Sequence, residues 1–250
     1  MDIDDFETRV AATQAALSRI AAEFAPAALA SSLAAEDMVL TDMIVRGDLP
    51  IAIFTLDTGR LHRETLEMVE RIDAVYGYRI ALYRPQAEAV DAYVREHGLN
   101  AFYDSVELRR ECCRIRKVEP LRRALAGQRA WLTGQRRAQS STRAELAPQE
   151  HDAAHGIAKF NPLADWSEQD VWRYIRSHGV PYNPLHDKGY PSIGCEPCTR
   201  AVRPGEDLRA GRWWWEQADS KECGLHLAAG PGGEMRLVRT NNPSQIEEKP

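Results

Sequence analysis

Apolar positions recur at helical spacing through the first part of the chain, where Val10, Leu17 and Ile20 share one face of an alanine-rich stretch from Phe6 to Glu23. Pro26 ends that helix. The period then shortens. Ala27-Ala-Leu-Ala-Ser-Ser-Leu33 predicts a short strand, and Ile51-Ala-Ile-Phe-Thr-Leu56 is the continuous apolar run of a strand buried on both faces. Between them Asp37 to Val45 predicts a helix, with Glu36 and Asp37 at the end where the helix dipole favours acidic side chains. The turn Asp57-Thr-Gly-Arg60 leads into a helix from Leu61 to Tyr76, followed by a strand over Arg79–Tyr83 and a helix over Ala87–Glu96. Farther along, Cys112 to Ala126 predicts a basic helix, Ala130 to Thr133 a strand, Gly134 to Arg143 a loop and Lys159 to Pro162 a short strand exit. Ser167 to Ser177 predicts a helix opened by a Ser N-cap and a Glu-Gln-Asp first turn.

This alternation implies an α/β fold, a parallel sheet covered by helices on both faces. Ligands of such sheets bind outside the carboxyl ends of the strands, where the loops Ser31–Asp37 and Asp57–Arg60 fall. After Gly179 the prolines at 181, 184, 191, 197 and 204 exclude long helices and predict an irregular C-terminal segment wrapped over the domain. The expected organisation is one domain over residues 1–227 and a flexible tail over 228–250, marked by Gly230-Pro-Gly-Gly233 and Asn241-Asn-Pro243.

Composition narrows the class. With 250 residues, 44% apolar and 28% charged, the chain can bury one sizeable core. No apolar run approaches the ~18–20 residues that cross a bilayer, and the acidic start Met1-Asp-Ile-Asp-Asp-Phe-Glu lacks the basic-then-apolar pattern of a secretory signal. The expectation is a cytoplasmic protein without membrane contact. A net charge of −5 argues against nucleic acid as a partner. Yet eleven basic residues fall between Arg109 and Arg143, opposed only by Glu111 and Glu119. Most would be solvated helix faces, but such a zone within an acidic protein also suits a small anion.

Five cysteines remain to be explained: Cys112, Cys113, Cys195, Cys198 and Cys223. In a reducing compartment, metal binding or catalysis is a better account of them than a disulfide framework. Cys195-Glu-Pro-Cys198 on an irregular loop is open to zinc, a redox dithiol or a cluster. Adjacent residues on a helix point ~100° apart, so Cys112 and Cys113 would reach different irons of one cluster more naturally than a single zinc ion. Lys117, on the same helical face as Cys113, would offset the charge of a thiolate-ligated cluster or of a ligand beside it. Cys223 stands alone in Lys221-Glu-Cys-Gly-Leu-His226; a lone cysteine is more often inert than catalytic, though Lys221 and His226 nearby could favour its thiolate. Arg209 and Arg212 precede three consecutive tryptophans and could close over a phosphate.

Taken together and in order, Ser31-Ser-Leu-Ala-Ala-Glu-Asp37, Leu56-Asp-Thr-Gly-Arg60, Cys112-Cys-Arg-Ile-Arg-Lys117, Gln135-Arg-Arg-Ala-Gln-Ser140, Cys195-Glu-Pro-Cys-Thr-Arg200 and Lys221-Glu-Cys-Gly-Leu-His226 resemble the assimilatory adenylyl-sulfate reductases, from about residue 25 to residue 226. The resemblance implies an adenine nucleotide α-hydrolase-like (Rossmann-like) fold and a [4Fe-4S] cluster on Cys112, Cys113, Cys195 and Cys198. It implies adenosine 5′-phosphosulfate as substrate, AMP as product, thioredoxin as reductant and a homo-oligomer. On it, Cys223 would be the nucleophile, and Ser31, Ser32, Leu56 and Gly134 would seat the nucleotide. Lys117, Arg137, Arg143, Arg209 and Arg212 would stabilise its charge, and His226 joins the substrate-binding residues. The first loop resembles a modified pyrophosphate-binding loop: ATP-cleaving relatives carry Ser-Gly-Gly-x-Asp-Ser, and this chain has no glycine there. The rival functions are reduction of 3′-phosphoadenosine 5′-phosphosulfate, whose enzymes in the family lack the cysteine pairs, ATP-dependent thiolation of tRNA, and a zinc-stabilised nucleotide-binding module without chemistry.

Overall fold

The computed structural model describes residues 3–140 and 143–216. A first helix, α1 (Ile3–Glu23), precedes the alternation β1 (Ala27–Ala30), α2 (Ala35–Arg46), β2 (Ile51–Leu56), α3 (Arg63–Tyr76), β3 (Ala81–Tyr83) and α4 (Ala87–His97). Then come α5 (Val106–Cys113), a π-helical turn at Arg114–Val118, α6 (Glu119–Ala124), β4 (Ala130–Leu132), β5 (Gln149–Asp152), β6 (Ile157–Phe160) and α7 (Glu168–His178).

The six strands lie in the order β3-β2-β1-β4-β6-β5. All neighbours pair in parallel except β5 with β6. From β1 the chain builds outward through β2 to β3, then returns to place β4 on the other side of β1, so the winding reverses between β1 and β4. Open parallel sheets bind ligands at that reversal. Alternation along the strands divides the core. Leu29, Ile51, Ile53, Leu132 and Phe160 join α1, α2, α3 and α7 in the larger cluster. Ala28, Phe54 and Trp131 pack against Leu121 and Ala124 of α6 and Leu125 just after it. Burying each large aliphatic side chain stabilises by roughly 1.5–3 kcal/mol, so the sheet is held from both faces.

The expected β2 strand is observed with the same bounds. The α7 helix also forms as expected: Ser167 accepts the Asp170 N–H, and the Asp170 carboxylate accepts the Ser167 N–H. Three regions differ. The β1 strand stops at Ala30, not Leu33, because Ser31 Oγ accepts the Leu33 N–H at 3.2 Å and Leu33 turns to φ +63°. Cys112 and Cys113 do not open a basic helix. They close α5, whose N-cap Ser105 accepts the Leu108 N–H, and the π turn then precedes Pro120, which has no N–H to continue a regular ladder. Third, β6 occupies Ile157–Phe160 where Lys159–Pro162 was expected, and beside it lies the unanticipated antiparallel edge strand β5. The polar run Gln149-Glu-His-Asp152 carries no alternating signal, and its pairing with β6 supplies the order.

After Gly179 the chain is irregular, as the prolines require, with short 3₁₀ turns at His186–Lys188 and Glu196–Cys198. It is laced to the domain by a bridge between Leu61 and Cys195 and by the Glu196 N–H donated to Arg60 O. No helix among the described residues is long and apolar enough to cross a membrane. The expected boundary at residue 227 and the tail lie outside the described residues.

Candidate active site

A cavity of about 390 Å³ opens at the carboxyl ends of β1, β2 and β4, where the winding reverses. Its floor is braced by Asp37, in the first turn of α2. Asp37 Oδ2 accepts from the Ser32 N–H (2.7 Å) and from Ser32 Oγ (2.5 Å), and Oδ1 accepts from the Gly134 N–H (2.9 Å). One carboxylate thus ties the loop after β1 to the loop after β4. Gly134 is required by closeness, since a Cβ there would collide with Asp37 Oδ1. Burial pushes the Asp37 carboxyl up to about 6; the Ser32 hydrogen bonds oppose that shift and neighbouring Glu36 adds to it. Glu36 Oε1 in turn accepts from Arg136 Nη2 (2.7 Å) and Nε (2.9 Å), and the guanidinium is 3% exposed.

A second, much smaller cavity of about 20 Å³ lies beside the first, and all four of Cys112, Cys113, Cys195 and Cys198 line it. Cys112 and Cys113 arrive on the last turn of α5; Cys195 and Cys198 arrive on the proline-rich loop. Thr58 Oγ1 is 3.3 Å from Cys195 Sγ, and the Thr58 carbonyl accepts from Arg116 Nη1 at 2.8 Å. The walls are cationic, formed by Arg109, Arg116, Lys117 and Arg212. Burial alone would raise the Cys195 thiol, but Lys117, Thr58, Arg212 and Arg116 outweigh it and hold the thiol below its usual range. Burial dominates at Cys112, which is raised against the pull of Arg116 and Lys117, and at Cys198, pushed up to about 12 by burial and then by Cys195. Among the described residues, no three His, Cys, Asp or Glu side chains are gathered as a single metal ion would need.

The C-terminal edge of the described chain closes this wall. Arg109, fully buried, donates from Nε and Nη2 to the two Glu216 oxygens at 2.8 and 2.9 Å. The guanidiniums of Arg109 and Arg212 lie 4.8 and 4.5 Å from the centroid of the Trp213 ring. Arg212 also lies across Gly194, where a Cβ would strike its guanidinium.

Of the residues expected at the site, Ser31, Ser32, Leu56, Lys117, Gly134, Arg143, Arg209 and Arg212 line the larger cavity. Arg137 does not. Its Nε donates to the Leu146 carbonyl at 2.8 Å and its Nη1 pairs with Asp165, while its neighbour Arg136 faces the cavity. Nothing in Gln135-Arg-Arg137 distinguished the two, since the choice follows from how the 3₁₀ turn Arg137–Gln139 is seated. Cys223 and His226 lie outside the described residues. Lys117, Arg212 and Trp213 line both cavities, so one cationic wall separates the nucleotide-sized space from the thiols. Sequence reasoning passed over Asp37 as a brace, together with Thr58 and His186. For Asp37 a signal was present, an acidic residue closing the Ser31–Asp37 loop; for His186, 151 residues from its partner Ala35, there was none.

A parallel sheet with its cavity at the winding reversal and a cationic wall defines a nucleotide- or anion-binding α/β protein. The chain belongs to the phosphoadenosine phosphosulfate reductase family, whose domain model matches residues 26–201, from just before β1 to just after the Cys195–Cys198 turn. It is 62% identical over 223 residues to the adenosine 5′-phosphosulfate reductase of Burkholderia cepacia, covering 89% of each chain. To the adenosine 5′-phosphosulfate reductase of Allochromatium vinosum it is 60% identical over 90% of this chain and 88% of that one. Among solved structures, the phosphate complex of phosphoadenylyl-sulfate (PAPS) reductase from Candida auris superposes with a TM-score of 0.65 at 27% identity, covering 81% of this chain and 98% of the other. The adenine nucleotide α-hydrolase-like fold expected from the motifs is the fold observed.

Proposed function

We propose that this chain is an adenylyl-sulfate reductase that converts adenosine 5′-phosphosulfate to sulfite and AMP in assimilatory sulfate reduction, with thioredoxin as reductant and Cys223 as nucleophile. The observation that carries the reading is the shared cationic wall: Lys117 and Arg212 face both the cavity at the strand ends and the four thiols. Relatives at 60–62% identity bearing that enzyme's name support the choice of substrate.

The Cys223 thiolate attacks the substrate sulfur, the sulfur–oxygen bond to the phosphate breaks, and AMP leaves with the electron pair. A thiosulfonate is left on Cys223. One thioredoxin thiolate then attacks Cys223 Sγ and expels sulfite; the second thioredoxin thiol displaces Cys223, so two electrons pass from the dithiol to the sulfonyl sulfur. Lys117, Arg143, Arg209 and Arg212 oppose the charge that builds on the bridging oxygen and phosphate. Ser31, Ser32, Leu56 and Gly134 seat the nucleotide. Cys223 follows Glu216 by seven residues, a span of at most about 25 Å when extended, and Glu216 is held by Arg109, which lines the small cavity of the thiols.

Cys112, Cys113, Cys195 and Cys198 would hold a [4Fe-4S] cluster. A cavity wall of four thiols, lined by cations and, among the described residues, by no carboxylate or imidazole, fits a soft, negatively charged cluster. When bound, the cluster would organise the site and tune its electrostatics; the electrons come from thioredoxin. Thiols kept for a cluster require a reducing compartment, so the reading includes the cytoplasm, and it includes a homo-oligomer, which sedimentation tests.

The test is turnover of adenosine 5′-phosphosulfate and of its 3′-phosphorylated analogue with reduced thioredoxin, alongside Cys223→Ser and ³⁵S-labelled substrate. Preference for the first nucleotide, a labelled adduct on the native chain and none on Cys223→Ser are expected. An adduct on Cys223→Ser would remove the nucleophile assignment, and a preference for the 3′-phosphorylated substrate would overturn the substrate. Iron with acid-labile sulfide is expected in the purified protein, whereas stoichiometric zinc would favour the module without chemistry.

A further inference from the structure

The α2 helix starts at the edge of the cavity with no cap of its own. Its N-cap residue is Ala34, which has no side-chain acceptor, although the first-turn N–H groups of any helix lack intrahelical partners. The Ala35 N–H is instead donated, at 3.2 Å, to Nε2 of His186, a residue from the irregular segment far along the chain. His186 is itself held. Its ring meets the Trp172 ring edge-on at 5.3 Å, and its backbone N–H is donated to the Asn183 carbonyl at 3.1 Å. Asn183, fully buried, donates from Nδ2 to Thr65 Oγ1 of α3 at 2.9 Å. The imidazole also lines the larger cavity. Burial lowers its pKa against Glu36, a Tyr190 backbone hydrogen bond, Asp187 and Glu168, which keeps Nε2 available as an acceptor.

We infer that His186 is a positioning residue: its neutral imidazole takes the capping role that Ala34 lacks and sets the pose of the loop after β1 for the nucleotide's anionic group. The nucleotide half of this inference rests on the proposed function; the capping half does not. The physical reason is geometric. Asp37 fixes Ser32 at one end of that loop and ties it to Gly134 of the loop after β4, and His186 fixes Ala35 at the other end, so the loop is clamped at both ends. A loop clamped at one end would bind the nucleotide only after being ordered by it, at a cost in affinity.

Two variants separate the acceptor from the ring. His186→Phe keeps an aromatic ring against Trp172 without an acceptor; His186→Gln keeps an acceptor without the ring. Amide hydrogen exchange without nucleotide, calorimetric AMP binding, and KM and kcat are measured on each. His186→Phe is expected to exchange faster over residues 33–37, to bind AMP about five- to tenfold more weakly, and to raise KM with kcat changed less than about twofold. His186→Gln should recover slow exchange and most of the affinity. Unchanged exchange in His186→Phe, or a Gln variant as poor as the Phe variant, overturns the cap. Faster exchange with unchanged AMP affinity overturns the positioning role. If the native chain binds no AMP while the exchange effect is present, the cap stands and the functional reading falls.

Discussion

The two walls of the cavity are built on opposite electrostatic plans. On the side of β1 and β4, carboxylates do the bracing: Asp37 gathers the Ser32 and Gly134 backbone N–H groups, and Glu36 takes the Arg136 guanidinium. On the side of the thiols, Arg109, Arg116, Lys117 and Arg212 converge on four cysteines. The first wall consumes its charge in fixing backbone. The second concentrates positive potential where thiolates, a bridging phosphate or a sulfonyl group would need it. A site for a doubly anionic nucleotide needs both, a rigid seat and a field.

Each wall holds a buried ion pair, and breaking one is the most severe test of this division. Arg109→Met strands Glu216 in a site where its side chain is 4% exposed, and should cost about 3–5 kcal/mol of stability in urea denaturation. Arg136→Met should cost less, because Glu36 retains 12% exposure and can draw on water. Equal losses would show that the walls are not differently built. Next in size, Gly134→Ala drives a methyl into Asp37 Oδ1 and should weaken AMP binding about tenfold, about 1.4 kcal/mol, while leaving the iron content of the proposed cluster unchanged. Iron lost together with affinity would mean that the two walls fold as one unit.

Asp37 sharpens the comparison through pH. Its folded carboxyl titrates at about 6, above the ordinary 3.8, so its stability contribution is fully present below the unfolded value and is lost as pH rises through 6. The hydrogen bonds from Ser32 and Gly134 need the carboxylate, so AMP affinity should move the other way, rising across pH 6. Thermal melts and calorimetry between pH 4.5 and 8, windows set by that titration, would show the opposed trends, and Asp37→Asn should flatten both. The smallest effect is expected at Arg137→Ala, tied to Leu146 and Asp165 outside the cavity: KM within about twofold of the native chain and stability within ~0.5 kcal/mol. A tenfold rise in KM would restore Arg137 to the site.

Much of the site was legible because it is made of loops at strand ends. Once Ile51–Leu56 is read as a buried parallel strand, Asp57–Arg60 must lie at its carboxyl end, and Thr58 does line the larger cavity, with its hydroxyl 3.3 Å from Cys195 Sγ. The cysteine pairs were legible as a constellation, and the structure brings all four to one small cavity. Less legible was anything that depends on a partner distant in sequence. Arg136 and Arg137 are chemically identical neighbours, and only the packing of the turn against Glu36 and Trp166 on one side and Leu146 on the other separates them.

By itself the sequence determined the alternation of helix and strand, the Ser167 cap, the irregularity after Gly179 and the residue types that any chemistry must use. These follow from local causes: the hydrophobic period, proline's missing N–H and fixed φ, and a side-chain oxygen within three residues of the N–H it caps. Tertiary structure decided that Arg136 and not Arg137 faces the cavity, that Gln149–Asp152 becomes an edge strand, and that His186 caps α2 in place of Ala34. Each depends on a hydrogen bond or packing contact made through space, and the residues that make it carry no local pattern to announce it.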